Sequence, residues 1–463
     1  MTCQSPTRSR SGSVPRVPIG GGHYGLAATF KQGDRMSSGK KMTTWRRGVA
    51  LVAAFGFVVT ACGGDDAAEE PAAESEATTT VAEEPAAEAP TGDPIKLMTV
   101  TTLNANGPTY ENIAITAEIA ADYINSNGGI NGRPLEVIVC DEQFDPAIAA
   151  TCARDAVSEG VVSVVGSFTY FAESIVPVIS ESDITWFGAC CPISPSELTS
   201  PHSFPIGNQP MYAVGEVKKA VEDGCESINA VIAEGADAIF RPPMENAMAA
   251  YGREFGDVII PPTIAQDYSA EVARATSDAD CMVVVLSETP FLTWNTALQQ
   301  SGSDIKQYGN QGNLNNISAK GAEEVTDGNI ISGMYPDIAS EPWDEYRATL
   351  DANDIDQVAN DYNSLGGMGT WAAYMGFAQI ASGIEGEVTA SSFFQAASAT
   401  TALDLGGMVP VLDFTQEWTD GLPGYTRLFN RSVVYSQLSN GSVIPLDNNF
   451  VDVGDLAMGI APE

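Results

Sequence analysis

The sequence predicts an α/β fold of parallel sheets flanked by helices and divided into two lobes, on three observations. Short apolar runs of strand length alternate with segments of helical period along most of the chain. From Ile95 onward about 370 residues remain, more than one ordinary hydrophobic core holds. Ahead of Ile95 the composition is too biased to pack, so the folded part has a definite start.

Ile95 to Val100 reads as the first strand, followed by the polar loop Asn104-Ala105-Asn106-Gly107-Pro108. Ile113, Thr116, Ala117, Ala120 and Ile124 then recur at helical spacing until Gly128-Gly129 stops the helix. Leu135 to Val139 is a second strand, Ala147 to Val157 an Ala-rich helix, and Val161 to Gly166 a buried strand. The rhythm returns with Ile228 to Ala233, Asp257 to Ile260 and Met282 to Leu286 as strands, and with Met244 to Tyr251 and Leu292 to Gln300 as helices. Strands that alternate with helices build a parallel sheet, and ligands of such sheets sit beyond the carboxyl ends of the strands.

The basic pair in Trp45-Arg46-Arg47 precedes an apolar run from Gly48 to Thr60, closed by Val59-Thr60-Ala61-Cys62. The run is about 13 residues, short of the roughly 20 that span a membrane, so residues 42–61 read as a secretion signal. Val-Thr-Ala-Cys resembles the lipobox of bacterial lipoproteins, which makes Cys62 the residue expected to carry lipid and to anchor the exported protein to the outer face of the cytoplasmic membrane. Met1 to Lys41 carry seven Lys or Arg and one Asp with no apolar periodicity, and translation is expected to begin at Met42. Residues 62–94 are rich in Ala, Glu, Pro and Thr, with Pro71, Pro85, Pro90 and Pro94 set against a helix, and read as a disordered acidic tether.

After Cys62 there are 13 Lys and Arg against 59 Asp and Glu, a net charge of −46. Nucleic acid and anionic lipid are poor partners for such a surface. Neither G-x-S-x-G, G-x-x-x-x-G-K-[ST] nor H-E-x-x-H occurs, and His202 is the one histidine after Cys62, so an enzyme is not expected. Carboxylate pairs leave a glycosidase-like hydrolase as a remaining alternative. Besides Cys3 and Cys62 the chain has six cysteines, an even number in an exported protein. Cys140 pairs with Cys152 and Cys225 with Cys281 in this reading; Cys190 and Cys191 are either a vicinal disulfide or two free thiols. No metal or cofactor is expected, because paired C-x-x-C spacing is lacking.

The segment Ala120-Ala121-Asp122-Tyr123-Ile124-Asn125-Ser126-Asn127-Gly128-Gly129-Ile130-Asn131-Gly132-Arg133-Pro134-Leu135-Glu136, with Asp141 and Asp145-Pro146 downstream, resembles the signature of the periplasmic leucine/isoleucine/valine-binding protein family of ABC transporters. The glycines and Pro134 themselves serve the turn from helix to strand. The resemblance implies a clamshell of two Rossmann-like lobes joined by three crossovers, 95–209 with 336–408 and 210–335 with 409–463. It implies a monomer that closes on a small polar solute, of amino acid, amide or carboxylate type, and hands it to a membrane permease. A sensor signalling to a membrane partner is the alternative.

Carried over by position, Thr169 is expected to bond a ligand carboxylate, and Ile193-Ser194-Pro195-Ser196-Glu197-Leu198-Thr199 resembles the family's A-T-A-P-E-L-T, which gives Ser194 the same role. Thr289 falls where the family often has an aromatic residue, and Gln311 where amino-acid binders carry the carboxylate that meets an ammonium group. Gln carries no charge, so an ordinary α-amino acid loses a charge-assisted bond there, with Glu288 as a nearby substitute. Asn106, Phe168, Tyr170, Phe291 and Trp294 flank the same loops as further candidates.

Overall fold

The computed structural model describes residues 89–105, 108–263, 265–357 and 364–462. The expected leader, signal, tether, Cys62 and Asn106 lie outside these. The described chain belongs to one compact unit, Ala82–Glu463. It begins with β1 (Ile95–Thr101), α1 (Glu111–Ser126), β2 (Leu135–Asp141), α2 (Pro146–Glu159), β3 (Ser163–Val165), α3 (Val176–Ser180), β4 (Thr185–Phe187), α4 (Pro195–Thr199) and β5 (Ser203–Phe204). These strands form one parallel sheet in the order β2-β1-β3-β4-β5.

The chain then crosses to a second lobe of α5 (Met211–Glu222), β6 (Ile228–Ile232), α6 (Asp237–Ala250), β7 (Val258–Ile259), α7 (Ser269–Ala275), β8 (Cys281–Val285), α8 (Glu288–Ser301), β9 (Lys306–Asn310), α9 (Glu323–Thr326) and β10 (Ile330–Gly333). It returns for α10 (Asp344–Ala352), α11 (Leu365–Ser382) and α12 (Ala390–Ser398), and crosses once more into β11 (Ser432–Ser439), β12 (Ser442–Asp452) and α13 (Gly454–Ala457). The second sheet runs β12-β11-β10-β9-β8-β6-β7. Its β11 and β12 are antiparallel, an edge that the strand-helix rhythm does not announce.

Both faces of each sheet are covered, and this explains the near-continuous apolar strands. Ile95 and Leu97 of β1 pack with α1 and α11, whereas Met98 and Val100 face the cluster around α2 and α3. In the second sheet Val283 and Val285 face the cluster that includes α5 and α6, and Met282 and Val284 face Phe291 and Trp294 of α8.

The signature segment is a turn device. Asn125 accepts from Leu135 N at 2.7 Å and donates to Leu135 O at 3.0 Å, which fixes where β2 starts. Gly129, at φ +67°, has no room for a side chain: a Cβ would lie 2.2 Å from Arg133 O. Asp145 caps α2 by accepting from Ala147 N at 2.7 Å, and Gly160 ends that helix in the left-handed region.

Helix α6 begins seven residues before the Met244 start expected from sequence, and it contains Pro242 and Pro243. Proline breaks a helical pattern because it leaves the carbonyl four residues earlier without its donor. Here Tyr425 Oη donates to Ile239 O at 3.3 Å and supplies the bond that Pro243 cannot.

The pairs Cys140–Cys152 and Cys225–Cys281 are disulfides. Cys190 and Cys191 are unbonded and buried. Within residues 409–430, assigned to the second lobe by the sequence reading, Phe414 and Arg427 pack on the first sheet, while Tyr425 reaches α6 of the second lobe. Phe414 meets Phe204 at 5.3 Å between ring centroids and Phe187 at 6.1 Å. Arg427 is buried between the rings of Phe204 and Phe429, each 4.6 Å away, and donates to Ser203 O at 2.9 Å and Glu417 Oε1 at 2.8 Å. Arg427→Met keeps the stem but strands these acceptors, and is expected to cost about 2–3 kcal/mol in a urea titration; an unchanged midpoint contradicts this anchoring role.

Candidate functional site

The carboxyl edges of the two sheets meet at the crossovers. Gly369 of α11 lies against both Cys190, just after β4, and Tyr335, just after β10: a Cβ on it would sit 2.3 Å from Cys190 Cβ and 2.8 Å from Tyr335 Oη. Gly312, after β9, similarly abuts Leu365 at the start of α11. Asn208 Nδ2 donates to Ser432 O, and Asn430 Nδ2 donates to Ile206 O at 3.0 Å, which ties the first crossover to the third. Gln311 holds the second: its Nε2 donates to Tyr335 O at 2.8 Å, and its Oε1 accepts from Met334 N at 3.0 Å and Tyr335 N at 3.1 Å.

On the first lobe this edge presents a wall of aromatic rings. Tyr110 meets Phe168 edge to face at 5.0 Å, Phe168 meets Tyr170 at 5.3 Å, and Phe144 meets Tyr170 at 5.4 Å and Phe171 at 5.4 Å. The hydroxyls of Tyr110 and Tyr170 are 3.3 Å apart. Tyr170 is 46% exposed and Phe144 40%. Phe144 reaches the wall because Gln143 and Phe144 both adopt the left-handed region, at φ 53° and 55°. Two such non-glycine residues in succession cost on the order of 1–3 kcal/mol each, and strain of this kind concentrates at ligand sites.

Three acidic groups of this edge accept from protein donors, although Glu142 Oε2 makes no hydrogen bond. Asp141 accepts from Leu103 N at 2.9 Å, Gln143 N at 3.0 Å and Asn104 Nδ2 at 2.7 Å. Burial opposes its ionisation, but these donors hold its carboxyl below the ordinary value. Glu142 is fully buried, accepts from Thr102 Oγ1, and is pushed up by burial. Glu197 Oε2 accepts from Ile193 N, Ser194 N and Ser194 Oγ, all at 3.0 Å, and Oε1 accepts from Trp186 Nε1 at 3.0 Å. Burial outweighs these four donors and pushes the Glu197 carboxyl up to about 7.

The sequence candidates therefore take different parts. Phe168 and Tyr170 stand in the wall. Thr169 is buried beside the Glu142 carboxyl, its Oγ1 accepting from Phe171 N at 3.0 Å. Ser194 caps α4 through Glu197. Thr289 is exposed on the first turn of α8, and Glu288 accepts from Asn315 Nδ2 at 2.6 Å. Phe291 is fully buried against Gly309 and is core, while Trp294 donates to Gln307 at 3.0 Å inside the lobe. Gln311 is a crossover strut. Sequence reasoning missed Tyr110, Phe144 and Tyr335, whose buried hydroxyl makes no hydrogen bond.

The constellation offers aromatic faces, phenol hydroxyls and carboxylates already bonded to protein donors. His202 stands apart, stacked on Phe394 at 4.1 Å. A hollow between α11 and α12, lined by Gln379, Ile384, Gln395 and Leu403, lies on the outer side of the first lobe.

A family model described as periplasmic binding protein matches residues 97–421. Among solved structures, a substrate-binding periplasmic protein from Ralstonia solanacearum superposes with a TM-score of 0.64 at 17% identity, covering 76% of this chain and 99% of that one. A fatty acid ABC transporter substrate-binding protein from Thermomonospora curvata gives 0.62 at 14% identity over 80% and 95%. A leucine-binding protein from Thermotoga maritima gives 0.60 at 14% over 78% and 99%. No curated protein matches the chain by sequence.

Gln311→Glu is expected to destabilise the protein by about 1–3 kcal/mol, because a carboxylate cannot donate to Tyr335 O; thermal melting at neutral pH reads this, and an unchanged midpoint refutes the strut. For Glu197 the folded state keeps its proton to about 7 while the unfolded chain releases it near 4.5, so the folded state binds more protons between these values. Stability is therefore expected to fall by about 3 kcal/mol as pH rises through that window. A pH-stability profile of Glu197→Gln should lack this component; identical slopes in variant and wild type contradict it.

Proposed function

Since this chain belongs to the periplasmic binding protein family, whose members bind substrates and are not enzymes, we propose that it captures a small organic solute with an apolar or aromatic body and an uncharged polar group. The solute lies between the lobes, against Tyr110, Phe168, Tyr170 and Phe144, and passes to a membrane permease of an ABC importer. The aromatic wall is the observation that carries this reading: two of its rings are well exposed on the strand-end edge of a parallel sheet, where such folds bind ligands.

The charge pattern narrows the solute class. The amides of Ile193 and Ser194 and the Ser194 hydroxyl already bond Glu197, which leaves a weak cradle for a solute carboxylate. Gln311 and Glu288 are bonded to protein partners where an ammonium group would need a free carboxylate. An amide or other neutral polar head fits better than an α-amino acid, and this narrows the amino acid, amide or carboxylate range that the sequence reading allowed. Two structural neighbours are named for a fatty acid and for leucine, both with apolar bodies. The exported protein is held at the membrane by a lipid on Cys62, and Cys62→Ser releases it.

A thermal-shift screen of aromatic amides, uncharged aromatics, fatty acids and α-amino acids tests the assignment. A true solute at a hundred times its Kd adds about 2.7 kcal/mol. Tyr170→Ala and Phe168→Ala should each weaken that solute by roughly 2- to 12-fold, the worth of an aromatic contact. Preference for charged α-amino acids, with both variants binding as wild type, would overturn the reading.

A further inference from the structure

We propose that Cys190 and Cys191 are a redox site, which closes into a vicinal disulfide by exchange with a disulfide oxidant and reopens with thiols. Four of the six described cysteines are already paired, which places the chain in a compartment that forms disulfides. The remaining two are neighbours in sequence, and their sulfurs lie 2.7 Å apart, closer than unbonded sulfurs pack. Neighbouring Cα atoms are about 3.8 Å apart, below the roughly 4.4–6.8 Å that relaxed disulfides adopt, so a bond here is readily reduced. Labile bonds of this kind are the ones used reversibly.

The surroundings are shaped around the pair. A Cβ on Gly207 of the first crossover would lie 1.6 Å from Cys190 O, and one on Gly369 of α11 would lie 2.3 Å from Cys190 Cβ. Tyr335 of the second crossover closes the other side of Gly369, with its hydroxyl unbonded. The pair thus sits where two crossovers and α11 converge, and any change in its backbone is transmitted to them. Both thiols are buried, so exchange requires the lobes to part.

The chemistry balances with an external disulfide R–S–S–R. One cysteine, as thiolate, attacks a sulfur of R–S–S–R, its proton passing to the departing R–S⁻ to give R–SH. The second cysteine attacks the resulting mixed disulfide at the protein sulfur, forms the Cys190–Cys191 bond and releases a second R–SH. The protein loses two electrons and two hydrogens, and the oxidant gains both. Reduction by two external thiols runs the same steps in reverse.

Differential alkylation of the exported full chain decides the matter. Protein denatured in iodoacetamide without reductant should yield a peptide containing Cys190 and Cys191 that carries no alkyl group and is two hydrogens lighter than its reduced form. Prior dithiothreitol should make it doubly alkylated, and oxidised glutathione added to folded, reduced protein should restore the light form without a retained glutathione. In Cys190→Ser, which cannot close the ring, Cys191 should alkylate without reductant, or keep one glutathione after the oxidant. Full alkylation of both wild-type cysteines without reductant would overturn the proposal, as would their bonding to other cysteines or a glutathione that persists on wild type.

Discussion

Two sheets, one parallel and one parallel but for its β11–β12 edge, can present their carboxyl edges to one another only if the chain segments passing between them are held without a sheet or helix to satisfy their backbone. In this protein side-chain amides do that. Asn208, Asn430 and Gln311 bond carbonyls and amides of the three crossovers, each spending both sides of its chemistry or reaching across to another crossover. An amide donates and accepts at once, whereas a carboxylate only accepts, so the residue type is dictated by the junction. The junction is thus closed by neutral groups.

The second consequence is electrostatic. The chain is strongly acidic, yet at this edge Asp141 and Glu197 are surrounded by protein donors, and Glu142 is buried on Thr102. The exposed part of the first-lobe edge is instead built from rings and phenol hydroxyls. Rings on the wall pack edge to face with one another and so order each other.

The alternating architecture was legible because β1, α1, β2 and α2 each obey a local rule: strand-length apolar runs, helical spacing, a glycine stop and an aspartate cap. A strand such as β5, two residues long, carries no period to read, and β11 and β12 pair antiparallel for reasons of tertiary packing. Of the aromatic wall, Phe168 and Tyr170 were legible as loop residues because they follow a buried strand. Phe144 was not, since its place depends on a left-handed backbone at Gln143 and Phe144 that residue type does not announce; an aromatic residue inside the polar run Asp141 to Asp145 was the available signal. Gln311 occupies the expected loop, but only the register of β9 against β10 reveals that Met334 and Tyr335 claim its amide. The two disulfides were legible from strand position, whereas the attachment of Arg427 and Phe414 to the first sheet is wholly long-range and left no local signal.

Amide hydrogen exchange with and without a stabilising solute measures most directly whether the strand-end cleft is the binding site. Binding there predicts slowed exchange in the loops 166–171 and 188–194 of the first lobe together with 286–289 and 311–315 of the second. Protection confined to the hollow between α11 and α12, with those four loops unchanged, would contradict it.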